Sequence, residues 1–177
     1  RFHRHVDEEE VMGRISALAR RVEGDTHLAI RRVISIAEGI GGNVDDYYAL
    51  DNHFIDTVLS TRRGIPISLS VLWIEVGRRA GIEMHGVGMP GHFLVYAGGQ
   101  LVDPVHCGGA MGWAGAASLV ARALGGGPRA DRSWFGPVDG PYIVRRMLLN
   151  LEQLYERRGE PRHLEWVAAC LEALTPA

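Results

Sequence analysis

Gly64-Ile65-Pro66-Ile67-Ser68-Leu69-Ser70-Val71-Leu72-Trp73-Ile74-Glu75-Val76-Gly77-Arg78-Arg79-Ala80-Gly81 decides the fold. Proline is best tolerated in the first turn of a helix and glycine is commonest just past its end, so the stretch predicts a helix over Pro66–Ala80. Its apolar residues Ile67, Leu69, Val71, Leu72, Ile74 and Val76 run most of the way round, which makes it a buried central helix rather than a surface one. From Met84 the period changes. His85-Gly86-Val87-Gly88-Met89-Pro90-Gly91-His92 leads into Phe93-Leu94-Val95-Tyr96, then Gly98-Gly99, then Leu101-Val102-Asp103-Pro104. This pattern predicts a β-hairpin with a Gly-Gly turn.

Upstream, helical spacing predicts helices over Glu8–Glu23 and His27–Gly39, the second opened by Asp25 or Thr26. Turn chemistry at Gly41-Gly42-Asn43 leads to Tyr47-Tyr48 and a further helix over Asn52–Ser60. Downstream, a short helix is expected over Ala114–Leu124 and a loop over Gly125–Gly140. The end reads as a helical hairpin, Tyr142–Arg158 and Arg162–Ala173, broken by Gly159-Glu160-Pro161. At about 35 residues it matches one tetratricopeptide-like unit, and without a second copy it must pack on the main domain. Leu148, Leu151, Leu154, Leu164, Val167 and Leu171 form its expected buried face.

Composition narrows the function classes. The chain has 177 residues, 46% hydrophobic and 23% charged, with a net charge of −2. Such a balance is neither that of a disordered protein nor that of a nucleic-acid or anionic-membrane binder. No apolar run reaches the roughly 18 residues of a spanning helix, and Arg1–His5 lacks a signal-peptide stretch and carries no functional weight. A cytoplasmic location is expected. Two cysteines, Cys107 and Cys170, supply neither a disulfide framework nor a four-cysteine zinc site.

The hairpin brings chemistry together. A two-residue turn at Gly98-Gly99 pairs Leu94 with Asp103 and leaves His92 on the same face, roughly 7–8 Å from Asp103 between backbones. A carboxylate on one imidazole nitrogen fixes the tautomer and raises the basicity of the other, as a general base requires. A three-residue turn would separate the two. In the plainer reading His92 is satisfied locally and Asp103-Pro104 ends a strand. His85, His106 and Cys107 are of metal-ligand type beside this pair, but their spacing matches no compact metal motif, so no metal site is assigned.

Gly42-Asn43, Asp46-Tyr47-Tyr48, Asn52, Arg62 to Ser70, Gly86-Val87-Gly88, Pro90-Gly91-His92-Phe93-Leu94-Val95 and Asp103-Pro104 together resemble the SirB-one family of transglutaminase-like proteins. The likeness runs over about residues 30–110. Arg146-Met147-Leu148 and Asn150-Leu151 resemble the family's helical-repeat tail. The resemblance implies an α+β, papain-like fold: a central buried helix on an antiparallel sheet, helical segments before it and a helical hairpin after it. It implies a transglutaminase-like domain over residues 1–140, with helices in 8–40, the core in 42–110 and a glycine-rich region in 108–140. The tetratricopeptide-like hairpin then occupies 141–177. Active relatives place a cysteine at the start of the central helix and a histidine and an aspartate on following strands. His92 and Asp103 match the latter two. The nucleophile position falls at Pro66, which has no nucleophilic atom. Asn52 matches a family asparagine, while His53 stands where serine is more usual.

A thiol at a helix N-terminus is activated by the dipole and by an adjacent imidazole. Proline there keeps the helix and deletes the chemistry. Ser70, one turn deeper on the same face, is a weak substitute nucleophile, more simply read as bonding back to a helix carbonyl. Cys107 lies in a glycine-rich loop with nothing to orient it, and Cys170 reads as a buried, inert residue. Asn52 and Trp73 are the expected binding residues, although Trp73, like Trp113, Trp134 and Trp166, equally suits core or lid packing. The expected function is therefore a non-catalytic relative binding a peptide or protein in the relic cleft, without a cofactor, a nucleic acid or a membrane. The alternatives are a hydrolase or acyltransferase using His92–Asp103 with a non-cysteine nucleophile, and a metal-dependent hydrolase.

Overall fold

Asp7 opens the first helix, α1 (Glu8–Ala19), its Oδ1 accepting the Glu10 N–H at 3.1 Å. In the computed structural model, residues 6–126 and 131–174 are described; Arg1–His5, part of the loop expected over Gly125–Gly140 and residues 175–177 lie outside them. The helix α1 stops short of Glu23 because Arg21 and Val22 close tight turns onto Leu18 and Ala19 before Gly24 at φ +121°. The second helix, α2 (His27–Arg31), runs on as a π-helical turn over Arg32–Ala37, which helical periodicity does not announce. Thr26 is its N-cap residue without a side-chain bond.

A two-residue strand, β1 (Gly41–Gly42), then pairs in parallel with β2 (Arg63–Gly64). Between them, the helix expected over Asn52–Ser60 is two pieces: a 3-10 turn at Leu50–His53 and α3 (Ile55–Thr61). Phe54 separates them in extended backbone, φ −114° and ψ 136°.

The central helix, α4 (Pro66–Arg79), starts where the sequence places it, with Pro66 at the first helical position. Its N-cap residue, Ile65, has no polar side chain to cap with. Ser68 does that work: its Oγ accepts the Ile65 N–H at 3.1 Å and donates to the Asn52 carbonyl at 2.7 Å. At the far end Gly81, at φ +75°, lets Ile82 N–H bond back to the Gly77 carbonyl at 2.9 Å. Leu69, Leu72, Trp73 and Val76 of α4 are fully buried with Ile30 and Ile34 before it and Val95 and Val102 after it. Each such large apolar side chain contributes roughly 2 kcal/mol on burial, so this cluster dominates the stability.

The expected hairpin is part of a larger sheet. Four antiparallel strands lie in the order β3 (Met84–Met89), β4 (His92–Ala97), β5 (Gln100–Asp103) and β6 (Gly109–Met111). Pro90-Gly91 makes one two-residue turn and Gly98-Gly99 the next, with Val95 opposite Val102 and Ala97 opposite Gln100. The Gly-Gly turn is therefore of the even kind. Phe93, Val95 and Ala97 face α4, while Leu94 packs on the other face against Ala116 and Val120 of α5 (Trp113–Ala123). The expected loop after α5 holds a 3-10 turn at Arg132–Phe135, and Val138 N–H bonds to the Gly86 carbonyl at 2.9 Å.

The tail is a helical hairpin, α6 (Gly140–Arg158) and α7 (Pro161–Ala173), turned by Gly159 at φ +65°. Leu148, Leu151, Leu154 and Val167 are buried, whereas Leu164 and Leu171 are only partly so. Leu50 and Phe54 pack into this cluster, and Ile143 and Met147 cover Ile65, Ile67 and Phe93 of the core. The hairpin is thereby fixed to the start of α4. No helix among the described residues is long and apolar enough to cross a membrane.

Candidate functional site

The even turn decides the site. His92, first residue of β4, and Asp103, last of β5, meet with Nε2 3.1 Å from Oδ2. An ionised carboxylate only accepts, so Nε2 carries the proton and Nδ1 is left as the basic nitrogen. Asp103 is fully buried, and its Oδ1 accepts the Val105 N–H at 3.0 Å. A second imidazole joins: His106 Nδ1 donates to the same Oδ2 at 2.8 Å from the exposed side of the loop. Burial pushes the Asp103 carboxyl up, but the hydrogen bonds and charge of His92 and then His106 outweigh it and hold it below the usual carboxylate range.

A cleft of about 400 Å³ opens beside this pair. Pro66 and Ile67 of α4 and Gly91, His92 and Phe93 of the sheet form one wall; Tyr47, Tyr48 and His53 form another; Arg146, Asn150, Gln153 and Leu154 of α6 close the third. Pro66 and His92 thus share one cavity, with Asp103 behind the imidazole.

Asn52 is a support for this cleft rather than part of its lining. Its Nδ2 donates to the carbonyls of Asp46 (2.7 Å) and Tyr47 (3.1 Å), and its Oδ1 accepts from Asn43 Nδ2 at 3.1 Å. This buried amide fixes the backbone at Asp46 and at Tyr47 of the cleft wall, while the Asn52 backbone carbonyl accepts the Ser68 hydroxyl. His53 is buried at the cleft wall with no partner for Nε2 among the described residues. Burial first, and then the nearby Arg158 charge, lower its pKa from 6.5 to about 4, so the ring is neutral.

Several expected residues stand elsewhere. Trp73 is fully buried in the main core, where a Cβ on Gly108 would lie 2.0 Å from its ring, so it presents no binding face. Ser70 is also fully buried and outside the cleft lining, and its Oγ makes no bond to a helix carbonyl or any other described group. Cys107 is exposed at φ +57°, outside the cleft lining, and Cys170 is half-buried rather than buried. Among the described residues no three His, Cys, Asp or Glu side chains are arranged to hold a metal ion.

Sequence reasoning missed the third wall. Arg146, Asn150 and Gln153 recur at helical spacing, opposite nothing that distinguishes them from an ordinary solvated face. The link between His106 and Asp103 is an i, i+3 pair in a loop, legible only once the Asp103 carboxylate is known to point inward.

A profile of the transglutaminase-like superfamily matches residues 4–149. A UPF0162 protein of Xylella fastidiosa strain 9a5c is 37% identical over 134 residues, covering 72% of this chain and 48% of its own length. One from Pseudomonas aeruginosa is 31% identical over 121 residues, 66% of this chain and 44% of that protein. Mouse F-box only protein 21 is 44% identical over 54 residues, 30% of this chain and 9% of its own. The protein spans about half the length of the UPF0162 proteins of Xylella. No solved structure matches it.

Proposed function

Because this protein belongs to the transglutaminase-like superfamily, we propose that it is a non-catalytic member, of the SirB-one type, which binds a peptide segment of a protein partner in the cleft between α4, β4 and α6. The observation that carries this reading is the combination of an open cavity with Pro66 at the helix start that lines it. The imidazole and carboxylate are in hydrogen-bonding contact, but Pro66, at the helix start where a dipole would activate a thiol, carries no thiol, hydroxyl or amine, and the Ser68 hydroxyl of the same turn is fully buried and engaged with Ile65 and Asn52. Neither alternative nucleophile weighed from the sequence, Ser70 or Cys107, lines the cavity. A cleft of this size with tyrosines, amides and a guanidinium suits a short extended segment better than a folded surface.

The test is a selection of displayed random peptides on the immobilised protein, repeated on Asn150→Trp, which fills the cleft from α6. Peptides retained by the wild type and lost by the variant support the reading. Peptides held equally by both, or hydrolysis of amide or ester substrates that His92→Ala abolishes, overturn it.

A further inference from the structure

The cleft is one-sided in charge. Arg146 lies within it, and no aspartate or glutamate among the described residues lines it. The guanidinium spends little of its hydrogen-bonding capacity on the protein: Nη1 and Nη2 both sit 3.4 Å from the Met89 carbonyl, and Nη1 is 3.5 Å from the Tyr142 hydroxyl. These are long contacts for a group with five donors. Arg146 forms no ion pair with a carboxylate among the described residues. A second guanidinium, that of Arg157, is stacked 4.3 Å from the ring centre of Tyr48, a residue of the same cleft. The positive end of the 14-residue helix α4 opens on the cavity at Pro66. Asn150 and Gln153 project from the same face of α6 as Arg146, one and two turns on, so their amides flank whatever the guanidinium holds.

We propose that Arg146 is an anion anchor and that the cleft selects peptide segments bearing a carboxylate, with Asn150 and Gln153 bonding the peptide amides beside it. This deepens the peptide-binding reading and rests on it. A half-buried guanidinium without a fixed carboxylate partner gains most from a planar anion, which it engages through two parallel N–H bonds. The carboxylate comes either from an acidic side group or from the free C-terminus of a peptide, and the cleft chemistry is common to both.

The experiment follows amide and side-group NMR signals of the whole protein during titration with three pentapeptides: acetyl-Ala-Ala-Glu-Ala-Ala-amide, acetyl-penta-alanine with a free carboxylate, and acetyl-Ala-Ala-Gln-Ala-Ala-amide. At least one acidic peptide should bind about tenfold more tightly than the glutamine peptide, the size of one charge-assisted pair, with shifts centred on Arg146, Asn150 and Gln153. Whichever acidic peptide is tighter identifies the source of the carboxylate. Arg146→Gln should bring all three peptides to within about twofold of one another. Gln153→Glu, an exposed substitution that leaves Arg146 and its contacts in place, should weaken the acidic peptides selectively, which keeps the test sound if Arg146→Gln does not fold. Equal binding of neutral and acidic peptides in the cleft overturns the anion site and leaves the peptide site standing. Absence of cleft shifts with every peptide overturns both.

Discussion

His53 shows how burial of one ring sets a pH dependence. It is 7% exposed, its Nε2 has no described partner, and burial followed by the Arg158 charge lowers its pKa from 6.5 to about 4. The folded state therefore disfavours the proton that the unfolded state accepts. Stability contributed by the neutral ring is present in full above pH ~6.5 and is lost progressively as pH falls toward ~4, a loss on the order of 3 kcal/mol. Denaturant unfolding of wild type and His53→Phe across that window should show a slope in the first that is largely removed in the second. Pro66 carries a different expectation. The first helical position needs no backbone N–H, so Pro66→Cys should cost under about 1 kcal/mol. A thiol there shares the cleft with His92, whose tautomer Asp103 fixes. It should titrate clearly below the ~8.5 of free cysteine and be alkylated faster than the exposed Cys107, and His92→Ala should slow it. A new thiol indifferent to His92 would mean that cleft and imidazole no longer form the constellation of an active relative.

Turns are the elements on which the site depends. Gly91 sits at φ +69° between β3 and β4, and a Cβ there would lie 2.4 Å from that of Ala123 in α5. Gly91→Ala thus meets both a left-handed backbone and a clash with a neighbouring helix. It should cost about 2–4 kcal/mol in denaturant unfolding, with loss of the His92–Asp103 contact because His92 is the next residue. An exposed turn substitution, Gly98→Asn, should be nearly neutral, since asparagine tolerates φ +55° and nothing lies within 4 Å of its Cβ. Such turns explain what was legible. Two-residue glycine turns fix strand register, so the meeting of His92 and Asp103 was readable from Gly98-Gly99, as the bounds of α4 were from Pro66 and Gly81. The π-turn at Arg32–Ala37 and the break at Phe54 were not readable, because the first answers to packing on α4 and the second to packing on the C-terminal hairpin rather than to local propensity. Strand β6 is silent in the sequence for a related reason: three residues with one glycine carry no periodic signal.

At the scale of the molecule, the tail and the core are joined at the place where binding is proposed. The helix α6 supplies one wall of the cleft and, through Ile143 and Met147, covers Ile65, Ile67 and Phe93. The same helix packs Leu148, Leu151 and Tyr155 on Leu50 and Phe54, beside the turn that carries Asn52 and His53. A tail that were a separate module would bury its apolar face within its own hairpin, yet here Val167 is the one α7 residue in the buried set. Apolar surface on α6 is divided between α7 and the core, so neither partner is complete alone. A truncated protein ending at Asp139 should therefore expose Ile65, Ile67 and Phe93 together, lose several kcal/mol of burial and bind hydrophobic dyes or self-associate. In the 177-residue chain with its hairpin in place, hydrogen exchange over Leu148–Tyr155 should be nearly as slow as over Leu69–Val76, because opening α6 means uncovering the core beneath it. Fast exchange in α6 beside a protected α4 would instead make the tail an independently opening wall. The cleft would then be assembled only when the hairpin is docked.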